Sequence, residues 1–130
     1  MPFVEREESQ SRKILVVDDS SMIRRLIKNS LSEAGYTDVL EAEGGEEAVA
    51  RVGDVDPGLI LMDWNMPKVT GLEAVHAIRA AGNVTPIVMV TTKSEEGRIE
   101  EAIRAGSNDY LVKPFTAEAL IERVEKFMAD

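Results

Sequence analysis

The sequence predicts an α/β fold, a parallel sheet with helices on both faces, and three observations predict it. Short apolar runs recur at 14–17, 39–40, 59–62, 87–90 and 111–112. Several of them are continuous instead of alternating, as strands buried on both faces should be. Between them lie segments whose apolar residues repeat with the helical period. Strand and helix thus alternate five times over, and right-handed crossover helices between parallel strands leave few topologies open.

The opening MPFVEREESQSR is polar and without period, so 1–12 reads as a solvated tail ahead of one domain at 13–130. The first strand, 14–17, ends at Asp18 and Asp19. The helix behind it carries Met22, Ile23, Leu26, Ile27 and Leu31 in one stripe and is closed by Gly35. The second strand lies at 39–40. The third, 59–62, leads to Asp63 in LMDWNMPKVTG, where Pro67 and Gly71 end regular structure. Leu72, Val75 and Ile78 then mark a helix closed by Gly82. The fourth strand, 87–90, ends at Thr91 and Thr92. The helix in SEEGRIEEAIRAG is weaker, with a narrow stripe of Ile99, Ala102 and Ile103, an interior Gly97 and a stop at Gly106. The fifth strand, 111–112, leads to Lys113 and Pro114. In the last helix Thr116 is placed to cap, Phe115 and Leu120 to form a hydrophobic staple, and Ile121, Val124 and Phe127 to continue the apolar face.

Composition narrows the function. At 130 residues, with 44% hydrophobic and 30% charged, the chain fits one soluble domain. A formal charge of -9 argues against nucleic acid or an anionic membrane as partner, since both require concentrated Lys and Arg. With Cys 0 there is no disulfide framework and no thiolate metal site. No apolar run approaches the roughly 20 residues that span a bilayer, and no signal peptide opens the chain, so the cytoplasm is the expected compartment.

In folds of this class the functional crevice lies at the carboxyl ends of the strands. Those ends carry Asp18 and Asp19, then Asp63, then Thr91 and Thr92, then Lys113 and Pro114. If the first and third strands are neighbours, about 4.8 Å apart, three carboxylates meet in one pocket, and their repulsion calls for a cation. Carboxylate and carbonyl oxygens favour Mg²⁺, and Mn²⁺ can substitute. Lys113 adds a positive charge and Thr91 a hydroxyl donor, which together suit the oxygens of a phosphoryl group.

Each of these residues has an ordinary structural explanation. Asp18 and Asp19 could cap the helix that follows, Thr91 and Thr92 could be strand formers and caps, Lys113 could be a solvated lysine, and Tyr110 a half-buried aromatic on an edge strand. His76, the only histidine, lies inside a helix as a surface or packing residue. Those explanations do not account for carboxylates, hydroxyl and ammonium all falling at one edge of the sheet.

The segments ILVVDDSSMIRR, LMDWNMPKVTGLE, VMVTT and DYLVKPFT resemble, in order, the signature segments of response-regulator receiver domains, most nearly the stand-alone members of chemotaxis type. The resemblance covers about residue 13 to the C-terminus. It implies a flavodoxin-like (βα)5 sandwich with strand order 2-1-3-4-5, and a phosphorylation-activated switch in a two-component system. Asp63 would accept a phosphoryl group from a phosphohistidine on a sensor kinase. Mg²⁺ would be ligated by Asp19, Asp63 and the backbone carbonyl of Asn65, with Asp18 ordering the site. Thr91 and Lys113 would hold the phosphoryl oxygens, Thr91 and Tyr110 would relay the switch, and the Lys113–Pro114 bond would be cis. Asn65 and Lys93 would tune signal lifetime or partner choice. Thr70 stands where the family often has Asp, and Gly44 and Gly45 where it has Asp-Gly, departures expected to loosen turns without touching the pocket.

The implied partners are a sensor histidine kinase and a downstream protein such as a flagellar switch or phosphorelay component. The chain would act as a monomer, with dimerisation on activation as an added option. Asp130 follows the last helix closely, so output is expected to come from binding a separate protein. Three rival classes are set against this reading. A dehalogenase-type phosphatase wants a second Asp where Asn65 stands, and a flavin carrier wants a phosphate loop without the acids of DDSSM. A constitutive protein-binding pseudo-receiver would lack part of the site.

Overall fold

The computed structural model describes residues 12–92 and 97–128. Their elements alternate without exception: β1 (Ile14–Val17), α1 (Ser21–Glu33), β2 (Val39–Ala42), α2 (Gly45–Val55), β3 (Leu59–Asp63), α3 (Gly71–Ala80), β4 (Ile87–Thr92), α4 (Ile99–Ala105), β5 (Asp109–Lys113) and α5 (Ala117–Met128). The strands form one parallel sheet in the order β2-β1-β3-β4-β5, the flavodoxin-like order.

The side-chain period of two divides each strand between two cores. Leu15, Val17, Ile60, Met62, Ile87 and Met89 point to the face covered by α2, α3 and α4. Ile14, Val16, Leu59, Leu61, Val88 and Leu111 point to the face covered by α1 and α5. Both faces are therefore dry at β1, β3 and β4, which is why those runs are continuously apolar, while the edge strands β2 and β5 are only partly buried.

Helix ends follow local chemistry. The Ser20 hydroxyl accepts the Ile23 N–H at the start of α1, and the Thr116 hydroxyl accepts the Ala119 N–H at the start of α5. Gly35, Gly82 and Gly106 follow α1, α3 and α4 with positive φ, a conformation that glycine adopts without strain.

Several expectations are corrected. Thr91, Thr92 and Lys113 lie within their strands, because β4 and β5 pair as far as Thr91 with Val112 and Thr92 with Lys113. On α1, Met22 and Leu26 are exposed, and the buried residues are Arg24, Ile27 and Leu31. A helical period locates an apolar sector but not which edge of it turns inward; here the Arg24 guanidinium has inward partners and the Met22 side chain stays in solvent. Gly97 is not inside α4 but lies ahead of it in a 3₁₀ turn, and Ile103 is exposed. Nor does Thr70 loosen its turn: it caps α3 in a reciprocal capping box with Glu73. The expected tail, apart from Arg12, and Lys93 lie outside the described residues.

Candidate functional site

The site is built at the carboxyl edge of the three strands β1, β3 and β5. Asp63 is the last residue of β3 and Asp18 the first after β1; both are buried, whereas Asp19 is exposed. One carboxylate oxygen from each of the three lies within 4.8 Å of the others. The adjacency of β1 and β3, in register at Val17 with Met62, places them so. From β5, across β4, the Lys113 ammonium donates to Asp18 Oδ2 at 2.9 Å and to Asp63 Oδ1 at 3.1 Å.

The two buried acids are held differently. Asp18 Oδ1 accepts the Ser20 N–H at 2.9 Å, so Asp18 braces the turn into α1, but the cap of that helix is Ser20. Asp63 caps no helix, since Thr70 caps α3. Burial, then the neighbouring Asp18, push the Asp63 carboxyl up to about 6, against the pull of Lys113. For Lys113, burial draws the ammonium down, but its hydrogen bonds and charge contacts with Asp18 and Asp63 outweigh this and raise it.

The remaining predicted residues surround this cluster to differing degrees. Thr91 is buried at the end of β4, and its hydroxyl donates to the Thr92 carbonyl at 3.2 Å. Asn65 is exposed two residues past Asp63. Tyr110 is half-buried on β5 at the margin of the core. The Lys113–Pro114 peptide is cis. His76 is exposed on α3.

Three acids face one lysine here, a surplus of negative charge composed only of oxygen donors. That donor set fits a hard divalent cation such as Mg²⁺. Asp18, Asp19 and Asp63 are the residues that could hold it.

Two supporting features were not read from the sequence. Gly71 packs so closely under Asp63 that a β-carbon there would lie 2.2 Å from the Asp63 carbonyl oxygen and 2.9 Å from Trp64 Cα. The Gly in VTGLE was visible, but its neighbour was not. The Arg98 guanidinium lies 5.0 Å from the centre of the Trp64 ring and pairs with Glu101, tying the turn before α4 to the residue after Asp63. No local sequence signal joins positions that far apart.

Comparison with known proteins agrees with this architecture. Residues 14–125 match the response regulator receiver domain family. The chain is 47% identical over 116 residues to the chemotaxis protein CheY1 of Helicobacter pylori, covering 87% of this chain and 94% of that protein. The Campylobacter jejuni chemotaxis protein CheY homolog is also 47% identical over 116 residues, with 87% and 89% covered. Among solved structures, Vibrio cholerae chemotaxis protein CheY4 superimposes with a TM-score of 0.82 at 37% identity, over 90% of this chain and 98% of that one. The receiver domain of NtrX from Brucella abortus gives a TM-score of 0.82 at 32% identity, with 88% and 97% covered. The parallel sheet, the acidic strand ends and this breadth of similarity lead to one conclusion: the chain belongs to the response-regulator receiver-domain family.

Proposed function

We propose that this chain is a phosphorylation-activated response regulator in which Asp63 accepts a phosphoryl group from a phosphohistidine on a sensor histidine kinase. The observation that carries the reading is Asp63 itself, a buried strand-end carboxylate with Lys113 at 3.1 Å and two further aspartates beside it. With its carboxyl at about 6, Asp63 is chiefly ionised at neutral pH and is a competent nucleophile. One of its oxygens forms the new O–P bond as the N–P bond of the phosphohistidine breaks, the electron pair of that bond leaving with the imidazole. Asp19 and Asp63, with the Asn65 carbonyl and with Asp18 ordering the site, would hold Mg²⁺ or Mn²⁺, which would neutralise charge on the transferred oxygens. Lys113 adds a fixed cation 3.1 Å from Asp63 Oδ1. Aspartyl phosphate is a reactive acyl phosphate, so the signal decays by hydrolysis, and the chain works as a switch instead of a metabolic enzyme.

In the phosphorylated state Thr91 turns its hydroxyl from the Thr92 carbonyl to the phosphoryl group, and Tyr110 follows toward the space vacated. The face formed by α4, β5 and α5 then changes shape. α4 suits this role: it has seven residues, no side-chain cap and an exposed Ile103. Asn65 and Lys93 border the approach and tune lifetime or partner choice. The CheY names of the relatives favour a chemotaxis-type output, such as a flagellar switch, reached by a cytoplasmic monomer. No helix among the described residues is long and apolar enough to cross a membrane.

The test is an NMR titration with beryllofluoride, a phosphoryl mimic, in the presence of Mg²⁺. Amide shifts are expected at the site and also through 97–106 and 109–115, and Thr91→Ala should confine them to the site. Wild-type shifts restricted to 18–19, 63–65 and 113 would refute the proposed output face.

A further inference from the structure

We infer that Arg24 is a positioning residue for the acidic site, acting through the backbone of Asp18 and steadied by Glu41 of the edge strand β2. The inference rests on the reading of Asp18, Asp19 and Asp63 as a cation and phosphoryl site. Arg24 stands in the second turn of α1 and is 8% exposed. Its Nη1 donates to the Asp18 carbonyl at 2.6 Å, and its Nε donates to Glu41 Oε1 at 2.8 Å. The second oxygen of Glu41 accepts from Lys28 at 3.4 Å. The hydrogen bond from Arg24 is the chief reason that the Glu41 carboxyl lies below its ordinary range, against the opposing pull of burial.

With this contact Asp18 is fixed from four directions. Its N–H donates to the Ala42 carbonyl at 3.2 Å, its carbonyl accepts from Arg24, and its two carboxylate oxygens accept from Ser20 N and Lys113. A peptide carbonyl shared with the next residue sets the direction of both, so the same contact that holds Asp18 also aims the exposed Asp19. Asp19 has no comparable brace of its own among the described contacts. Burying a guanidinium is unfavourable unless its donors are matched, and these partners match Nε and Nη1 at the base of the acidic loop. The largest influences on the Asp63 carboxyl are burial, Asp18, Lys113 and Asp19, whereas Arg24 meets the site through the backbone carbonyl of Asp18. Its effect is therefore on the placement of ligands. Groups that orient metal ligands in this way typically change metal affinity or activity by about 10- to 100-fold when removed.

Four variants and two readouts test this: Arg24→Ala, Arg24→Lys, Glu41→Gln and Lys28→Ala, each checked for fold by circular dichroism. In the metal-free protein, the Asp19 and Ser20 amides of Arg24→Ala should broaden and exchange faster with solvent. Mg²⁺ titration, followed by calorimetry, should then give a Kd weakened by about 10-fold or more. Arg24→Lys should recover little, because one ammonium does not span Asp18 and Glu41 as the fork does. Glu41→Gln should weaken binding in the same direction but less, and Lys28→Ala should bind as wild type. Folded Arg24→Ala with unaltered Asp19 and Ser20 amides and wild-type Mg²⁺ affinity would overturn the inference, as would full recovery by lysine. If Arg24→Ala does not fold, Arg24→Lys and Glu41→Gln decide by the same criteria. Failure of the wild-type chain to bind Mg²⁺ would count against the site itself, and the metal-free amide readout would still judge Arg24.

Discussion

Asp63 experiences two opposing demands: it is buried at the end of β3, and the proposed phosphoryl acceptance would need it ionised. Its carboxyl at about 6 lies above the ordinary 3.8, so the native metal-free protein resists ionisation more than the unfolded chain does. The sign follows from proton linkage: the stability associated with protonated Asp63 is fully present below about pH 4 and is lost as pH rises through about 6. The loss is on the order of 3 kcal/mol at neutral pH. Asp63→Asn, which resembles the protonated form, should therefore be more stable than wild type at pH 7 without metal by up to about 3 kcal/mol, the difference vanishing near pH 4. Urea unfolding in the presence of a chelator measures it. A mutant less stable at pH 7 would show that Lys113 compensates Asp63 more fully than burial penalises it.

Among the elements, α3 shows how a helix start can fix a buried carboxylate. Gly71 lets α3 approach the backbone of Asp63 and Trp64, and its N–H donates to the Trp64 carbonyl at 2.8 Å. Thr70 and Glu73 cap the same helix through exposed hydrogen bonds. These two neighbours should separate in mutants. Gly71→Ala should destabilise by roughly 1–3 kcal/mol, because the close contact is with backbone, and should also slow phosphoryl uptake. Thr70→Ala should cost about 1 kcal/mol and leave uptake near wild type. Denaturation together with acetyl phosphate kinetics checks both; equal uptake in the two variants would mean that the spacing of α3 does not set Asp63. The strands were legible in sequence because burial on both faces leaves unbroken apolar runs. The inward face of α1 was not, since Arg24 is buried by partners at Asp18 and Glu41 that no local pattern reveals. The weakness of α4 was legible, although Gly97 contributes to it by preceding the helix and not by interrupting it.

For the whole molecule, the order β2-β1-β3-β4-β5 turns residues as distant in sequence as Asp18, Asp63 and Lys113 into neighbours. Their types and strand-end positions could be read directly, because in a parallel sheet the chemistry gathers at one edge. Their hydrogen bonds could not, since Asp18 and Asp63 compete for one ammonium only after folding. The same topology would let a change at Asp63 reach β5 and α4 through β4, the route by which the proposed switch would reach its partner. The most direct test of this account is intact-protein mass measurement after incubation with acetyl phosphate and Mg²⁺. Wild type should gain one phosphoryl group, only when Mg²⁺ is present and lost again with time, and Asp63→Asn should gain none; equal labelling of Asp63→Asn, or a wild-type chain that remains unmodified, would contradict it.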